Sequence, residues 1–313
     1  MRVLGSIDAL AEISSPVVLA AGVFDGMHLG HRAVLETALA ESRRLGAVAV
    51  ALTFDPHPAS VLRPDAVPRL LTPTPRKLRL MEELGFETAL VVDFNADFAA
   101  MSAEDFVTNL ASAAHPLSGI CIGEGWMFGH RRQGNVALLR RIGSEKNFFT
   151  REVPPVLVDG ILVSSTLVRQ SIAEGRLSQA ERLLGRPHAL VGTVLRGAGL
   201  GRKIGFPTAN ISIDQQQLPP DGVYAVEVVL NHKTFPAVAN LGIRPTVSSD
   251  PRRLLEVHLF DFSGDLYGSE LEVRFLDFLR PEKKFESLDA LRESIARDAT
   301  AAREFLATAH TAA

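Results

Sequence analysis

Apolar residues recur along this chain in two patterns, and the pattern changes near residue 185. Residues 17–21 read Val-Val-Leu-Ala-Ala, the unbroken run that a strand buried on both faces requires. Runs at 47–54, 88–94 and 119–122 have the same character. Between them, Val34, Leu35, Ala38 and Leu39 fall at helical spacing, and 76–84 reads as a helix stopped by Gly85. Ser102 ahead of Glu104 and Asp105 marks another helix start, with Ser102 as its cap. Strands alternating with helices predict a parallel sheet covered on both faces, with ligands held beyond the carboxyl ends of its strands. After an amphipathic stretch at 177–184 and Gly185 the period becomes two. Leu255, Val257 and Leu259 alternate with Glu256 and His258, and Leu271, Val273 and Phe275 with Glu272 and Arg274. Several such runs predict a small closed antiparallel barrel. A last helix begins near Ser287 and ends in an Ala/Thr-rich tail, expected to fray at its tip. The expected organisation is α/β plus β, with domains at 1–185 and 186–313.

Composition narrows the class. The 313 residues suffice for two cores, and 46% apolar with 22% charged residues is ordinary for a globular protein. A net charge of −3 without a Lys/Arg block gives no general pull toward nucleic acid or an anionic membrane, so neither is an expected partner. Any phosphate must be held by local geometry. Cys121 is the single cysteine, which rules out an intrachain disulfide and suits a reducing cytoplasm. Asp8 and Glu12 interrupt the first fifteen residues, which argues against a secretory signal, and no apolar run reaches membrane-spanning length. Oligomeric state has no signature in the sequence.

The most informative stretch is 22–31, Gly-Val-Phe-Asp-Gly-Met-His-Leu-Gly-His, on a strand-to-helix turn. Unpaired N–H groups at a helix start form a phosphate seat, and Gly22, Gly26 and Gly30 let main chain approach a ligand. His28 and His31 fall on one side of the first helical turn. Three readings stand: a turn with two surface histidines, a zinc site, or imidazoles donating to a nucleoside triphosphate. Zinc lacks a Glu between the histidines and a nearby Cys. Elsewhere, 53–58 (Thr-Phe-Asp-Pro-His-Pro) reads as a strand exit. Residues 163–169 (Val-Ser-Ser-Thr-Leu-Val-Arg) place three hydroxyls at a helix start where a cap needs one. The glycine-rich stretch 197–210 mixes in Arg202, Lys203, Thr208 and Asn210 and suits a backbone cradle for phosphates beside a hard cation such as Mg²⁺. Glu256 sits where any solvent-facing Glu of its strand would sit.

The string at 28–31 resembles the His-x-Gly-His motif of the nucleotidyltransferase superfamily. Its longer form with Phe24-Asp25-Gly26 is similar to the adenylyltransferase module of bacterial bifunctional riboflavin kinase/FMN adenylyltransferases, also called FAD synthetases. Gly201-Arg202, with Gly205-Phe206-Pro207-Thr208-Ala209-Asn210 after it, is similar to the riboflavin kinase signature. The segments 240–246, 255–268 and 279–285 follow in the family's order. The resemblance implies a Rossmann-like nucleotidyltransferase domain followed by a riboflavin kinase barrel with a C-terminal helix. It implies phosphorylation of riboflavin to FMN by ATP, then adenylylation of FMN to FAD with release of pyrophosphate. On the adenylyltransferase side it implies His28 and His31 as catalytic residues. Gly22, Phe24, Asp25, Gly30, Ser164, Ser165, Thr166 and Arg169 would be at ATP, with Phe54, His57 and Pro58 at the flavin. On the kinase side it implies Glu256 as the catalytic carboxylate and ATP at Gly201, Arg202, Gly205, Phe206, Pro207, Thr208 and Asn210. Thr208 and Asn210 would hold the magnesium, and Arg280, Lys284 and Phe285 would lie at the flavin.

The chain departs from the family pattern at Gly125, in Gly123-Glu124-Gly125-Trp126-Met127-Phe128-Gly129, where Asp or Asn is usual. Losing one hydrogen bond near a ligand costs about 1–3 kcal/mol. His188 replaces a common Tyr, and Leu200 a frequent Arg. Two alternatives follow: a riboflavin kinase with a weakened adenylyltransferase domain, or a flavin-binding regulator without either chemistry.

Overall fold

In the computed structural model the first unit, Met1–Ser165, is built on six parallel strands: β1 (Arg2–Leu4), β2 (Val17–Ala21), β3 (Val48–Asp55), β4 (Thr88–Asp93), β5 (Leu117–Gly123) and β6 (Phe149–Val153). Their order is β1-β4-β3-β2-β5-β6. The structure describes residues 1–197, 201, 204–243 and 253–311. The helices are α1 (Leu29–Leu45), α2 (Pro58–Leu62), α3 (Thr74–Glu83), α4 (Ala96–Ala100), α5 (Ala103–Ala113) and α6 (Val136–Lys146). A hairpin, β7 (Leu157–Val158) and β8 (Ile161–Leu162), completes the unit.

The unbroken apolar strands are buried on both faces. Val17, Leu19 and Ala21 of β2 join one core with Phe106 and Val107 of α5 and Leu139 of α6. Val18 and Ala20 join another with Leu35 and Ala38 of α1 and Leu80 and Met81 of α3. As the pattern predicts, Ser102 caps α5 through the Asp105 N–H (3.0 Å), and Gly85 is left-handed after α3. The edge strands β1 and β6 have no counterpart in the pattern. β1 has only three residues, and β6 carries Arg151 and Glu152 because its outer side meets solvent.

The second unit, Thr166–Ala313, opens with α7 (Ser165–Ala173), which straddles the division, and α8 (Leu177–Leu184). It then closes β9 (His188–Leu195), β10 (Ala209–Ile211), β11 (Gly222–Leu230), β12 (Lys233–Ile243), β13 (Arg253–Leu259) and β14 (Glu270–Arg280) into a barrel of order β10-β13-β12-β11-β14-β9. α9 (Leu288–Thr311) follows. Period-two alternation sorts the residues: Tyr224, Val226, Ala239, Leu255, Val257 and Val273 fill the interior. Val223, Ala225 and Val238 point outward and are covered by Ala299, Ala302 and Leu306 of α9. Asp298 of α9 accepts from Nε and Nη2 of Arg280 (2.8 and 2.6 Å), and Arg303 grips Asp261 (2.8 and 3.1 Å). That exposed grip keeps the Asp261 carboxyl below the usual range. α8 packs against β9 and β14, so it belongs structurally to the barrel unit. β10 ends at Ile211, and Ile213 is buried beyond the last ladder pair. Among the described residues no helix is long and apolar enough to cross a membrane.

Closure of the barrel depends on Gly192 in β9, where a Cβ would lie 1.8 Å from the Ser212 carbonyl oxygen. A backbone atom cannot swing aside as a side chain does. Gly192→Ala is expected to destabilise the chain by about 2 kcal/mol or more, read as a fall in the denaturant midpoint. Gly5→Ala, which meets nothing within 4 Å, should leave it unmoved.

Candidate functional site

The loop after β2 lies at the carboxyl edge of the sheet, where connections run to β3 on one side and β5 on the other; open α/β sheets bind ligands at such a reversal. Its backbone is left-handed at Phe24 (φ 52°), Gly26 (φ 95°) and Met27 (φ 44°). Such angles cost non-glycine residues about 1–3 kcal/mol each and persist only where neighbours enforce them. Here several do. The buried Asp25 carboxylate accepts from the Leu71 and Thr72 N–H groups, both at 3.0 Å. The Val23 carbonyl accepts from Thr53 Oγ1 (2.9 Å) and Lys77 Nζ (3.1 Å). Ser165 Oγ donates to the Asp25 carbonyl at 2.8 Å, which joins the hydroxyl-rich segment to the loop. At Gly22 a Cβ would meet the Phe24 ring at 2.8 Å.

His28 caps α1 with its side chain. Its Nδ1 accepts the His31 N–H at 3.2 Å, so the ring proton sits on Nε2, the nitrogen that donates. The two imidazoles stack 3.6 Å apart at 16°, and Phe24 packs its ring edge-on against His31 at 5.5 Å. Gly30 lies beside this pair; a Cβ there would be 3.2 Å from the His28 ring. Ser164 and Ser165 are half-buried. Thr166 and Arg169, the remaining polar residues of that segment, belong to the second unit, where Thr166 is exposed and Arg169 half-buried.

Phe54 ends β3 as a buried ring, edge-on to Phe94 at 5.6 Å. Phe94, Phe98, Phe106, Phe128 and Trp126 continue the contacts in a row, ending on the half-buried Trp126 stacked 4.8 Å from Phe128. His57 caps α2 through the Ala59 N–H (3.1 Å), with Pro58 at the first helical position. Gly125 has φ +73°, inside a turn closed by the Trp126 N–H on the Gly123 carbonyl (3.1 Å). Asn, Asp and Gly are the residues that adopt this conformation most readily. The departure from the family pattern therefore keeps the turn and removes only the side chain. A Cβ there would meet nothing within 4 Å.

The barrel's site lies on its outer face. Asn210 of β10, Glu256 of β13 and Asn240 of β12 are direct cross-strand partners, so a carboxylate stands between two carboxamides. Glu256 and Asn240 line a cleft of about 440 Å³ under α9, together with Thr208, Val238, Arg280 and Phe285. α9 contributes Leu291, Ile295 and Asp298. A second cleft of about 90 Å³ at the end of the barrel, lined by Pro207, Ala209, Leu259 and Tyr267, shares Thr208 with the first. Lys283 lines the larger cleft, its Nζ 5.2 Å from the Phe285 ring centre, whereas Lys284 does not line it and is exposed. Gly201 makes a close approach: a Cβ would be 2.3 Å from the Phe206 carbonyl and 3.0 Å from Thr208 Oγ1. At Gly197 a Cβ would fall 2.3 Å from the Asn210 amide. The glycines thus leave space beside two hard oxygen donors. Gly205 is exposed with φ +90°, and Pro207 accepts from His258 Nδ1 at 2.8 Å. Phe206 packs edge-on to the same ring at 5.6 Å. Arg202, Lys203, Leu200 and residues 244–246 lie outside the described residues. His188 is buried away from both clefts, Nε2 on the Gln217 carbonyl (3.0 Å), and burial pushes it down to about 4.

Two parts of these sites escape a reading of the sequence. Asp298 and Ile295 reach the cleft only because α9 folds back on the barrel. Lys77 did leave a signal: it shares a helical stripe with the buried Leu80 and Met81, where a lysine is out of place. Burial pushes its ammonium down to about 8, opposed by the Asp25 and Asp55 carboxylates.

Comparison with known proteins agrees with this division. The FAD synthetase family model matches residues 10–167 and the riboflavin kinase family model residues 184–306. The chain is 42% identical over 289 residues to the bifunctional riboflavin kinase/FMN adenylyltransferase of Escherichia coli (strain K12), covering 92% of each. It is 35% identical over 306 residues to that of Haemophilus influenzae, covering 97% of this chain and 99% of the relative. A solved structure described as a macrolide-efflux protein from Streptococcus pneumoniae superimposes with a TM-score of 0.82 at 30% identity, covering 95% of this chain and 97% of its own. With relatives this similar over nearly its whole length, and with both family models matched in order, the chain belongs to the bifunctional riboflavin kinase/FMN adenylyltransferase family.

Proposed function

We propose that the chain makes FMN and then FAD, with the barrel unit carrying riboflavin kinase and the sheet unit FMN adenylyltransferase. The observation that carries the kinase half is the pair of clefts meeting at Thr208, one of them lined by Glu256. Riboflavin in the larger cleft and ATP in the smaller would present the ribityl 5′-hydroxyl to the γ-phosphate at that junction. Glu256 accepts the hydroxyl proton as the oxygen–phosphorus bond forms and the bond to the β–γ bridging oxygen breaks. Asn210 and Asn240 orient the carboxylate from either side. Thr208 and Asn210 offer oxygen donors in a glycine cradle, which fits Mg²⁺; the ion would neutralise phosphate charge there. Arg280 is committed to Asp298 (2.8 and 2.6 Å), so we read it as fixing the roof of the flavin cleft beside Lys283 and Phe285.

In the sheet unit, the N–H groups that open α1 and the Nε2 donors of His28 and His31 receive the triphosphate. An FMN phosphate oxygen attacks the α-phosphorus and the α–β bond breaks, releasing pyrophosphate. The stack at 3.6 Å holds the two rings side by side, so both can donate to the same polyanion. Ser164 and Ser165 of the same unit complete the phosphate contacts. Phe54, His57 and Pro58 line the flavin end. The functional boundary is placed at 185/186. The single cysteine suits reactions run in the cytoplasm.

Supplying the purified chain with riboflavin and MgATP and separating products by chromatography tests the reading: FMN appears first and FAD follows. FMN without FAD leaves only the kinase, and neither product refutes both halves. Glu256→Gln is expected to slow riboflavin phosphorylation by about 100-fold or more while FMN, when supplied, is still adenylylated at the wild-type rate. His28→Asn keeps a capping side chain but removes the imidazole. It should lower FAD formation by about 100-fold and leave FMN formation unchanged. Gly125→Asn, placed where the backbone and the space both admit it, should raise kcat/KM for FAD formation by about tenfold.

A further inference from the structure

Among the groups that the reading above leaves without a role, Lys77 is the one with an unusual position. Its side chain is 4% exposed, on the α3 face that packs into the core. Nζ donates at 3.1 Å to the Val23 carbonyl and at 3.1 Å to Thr53 Oγ1, while Thr53 Oγ1 itself donates to the same carbonyl. Thr53 has no exposed surface. The charged groups facing Lys77 are Asp25, from the loop, and Asp55, from the end of β3. A leucine or methionine would fill this volume without the cost of burying an ammonium. An ammonium instead grips the carbonyl just before the left-handed Phe24.

We propose that Lys77 is a positioning residue for adenylyl transfer: its buried ammonium holds the Val23 carbonyl, thereby fixes the loop that carries His28 and His31, and adds positive charge to that loop. The proposal rests on the reading of residues 22–31 as that seat. It extends the reading by naming the group that keeps the seat both shaped and positive. It also gives adenylyl transfer a pH dependence that the kinase lacks. The ammonium titrates near pH 8 in the folded chain. Raising pH through that value removes the charge without unfolding the loop, since a neutral amine still donates two hydrogen bonds.

The test follows FMN adenylylation and riboflavin phosphorylation separately, on the full chain, from well below to well above pH 8. In the wild type, kcat/KM for ATP in adenylylation is expected to fall by about tenfold per pH unit on the basic side, with no such limb in phosphorylation. Lys77→Arg, whose guanidinium stays charged, should keep the neutral-pH rate and lose the limb. Lys77→Met should lose the limb and also lower the neutral-pH kcat/KM by about tenfold to 100-fold. Wild-type adenylylation without a basic limb overturns the proposal, as does Lys77→Met with wild-type rates. Equal neutral-pH losses in the Arg and Met variants also overturn it, because they mark a purely structural role. If Lys77→Met fails to fold, the wild-type and Lys77→Arg profiles decide. His28→Asn, run in parallel, separates this proposal from the reading it rests on. Full adenylylation by that variant refutes the seat itself, whereas its loss together with an indifferent Lys77→Met refutes only the role of the lysine.

Discussion

The barrel is filled through its middle, and that constraint decides which strand residues face outward. Val257 and Leu255 point inward with Ala239, Tyr224 and Val273, so the middle of the barrel leaves no channel for a substrate. Strand alternation then sends Glu256 to the outside. The same parity puts Asn210 and Asn240 beside it on the neighbouring strands. A carboxylate on a barrel's outer wall is ordinarily solvated and chemically idle. What changes its circumstances is α9, which lies across that wall with Ala299, Ala302 and Leu306 buried against Val223, Ala225 and Val238. Further along, where Leu291, Ile295 and Asp298 face the wall, it leaves a cleft instead of a seal. The site is the part of the helix–barrel interface that does not close.

The sheet unit obeys the same rule from a different architecture. Its strands are buried on both faces, so chemistry has room only at their ends. The loop after β2 occupies such an end, and its main chain adopts angles that Phe24 and Met27 would not choose alone. It keeps them because buried partners hold it in place: the Asp25 carboxylate on the 71–72 amides, Ser165 on the Asp25 carbonyl, and Lys77 with Thr53 on the Val23 carbonyl. Strain of this kind is useful where a ligand needs amides and imidazoles already aimed, since no reorganisation remains for the binding step. The stacked histidines add to this pre-arrangement, one capping the helix while orienting the other.

Much of this was legible in the sequence where the cause is local. The period-two strands, the unbroken β2 and the caps at Ser102 and Gly85 each follow from a few adjacent residues, and each is found. The motif residues fall where the chain pattern puts them, at a strand-to-helix turn and beside the β10–β13 ladder. What stayed hidden has long-range causes. Arg151 is paired with Glu41 from α1, so β6 reads as polar although it completes the sheet. Arg280 offers in sequence a charge suited to a flavin or phosphate, yet its Nε and Nη2 pair with a carboxylate eighteen residues later and its Nη1 donates to the Pro281 carbonyl. Lys284 and Lys283 are indistinguishable by composition, and only the course of the chain after β14 decides which one lines the cleft. Gly125 looked like a lost ligand. The left-handed turn shows why that loss is confined to a side chain.

The net charge of −3 explains why both sites depend so much on backbone. A protein that handles polyanions could build a broad basic surface, but such a field attracts nucleic acid and membranes as well. In the proposed sites the positive potential is short-ranged and directional: amide dipoles at the start of α1, imidazole N–H groups, and a glycine cradle beside Thr208 and Asn210. These donors work only at hydrogen-bonding distance and in a fixed direction, so their selectivity comes from shape. The same economy accounts for the cost of the design. Directional donors of this kind must be placed accurately, and in the proposed sites the neighbours that place them matter as much as the groups meant to touch phosphate.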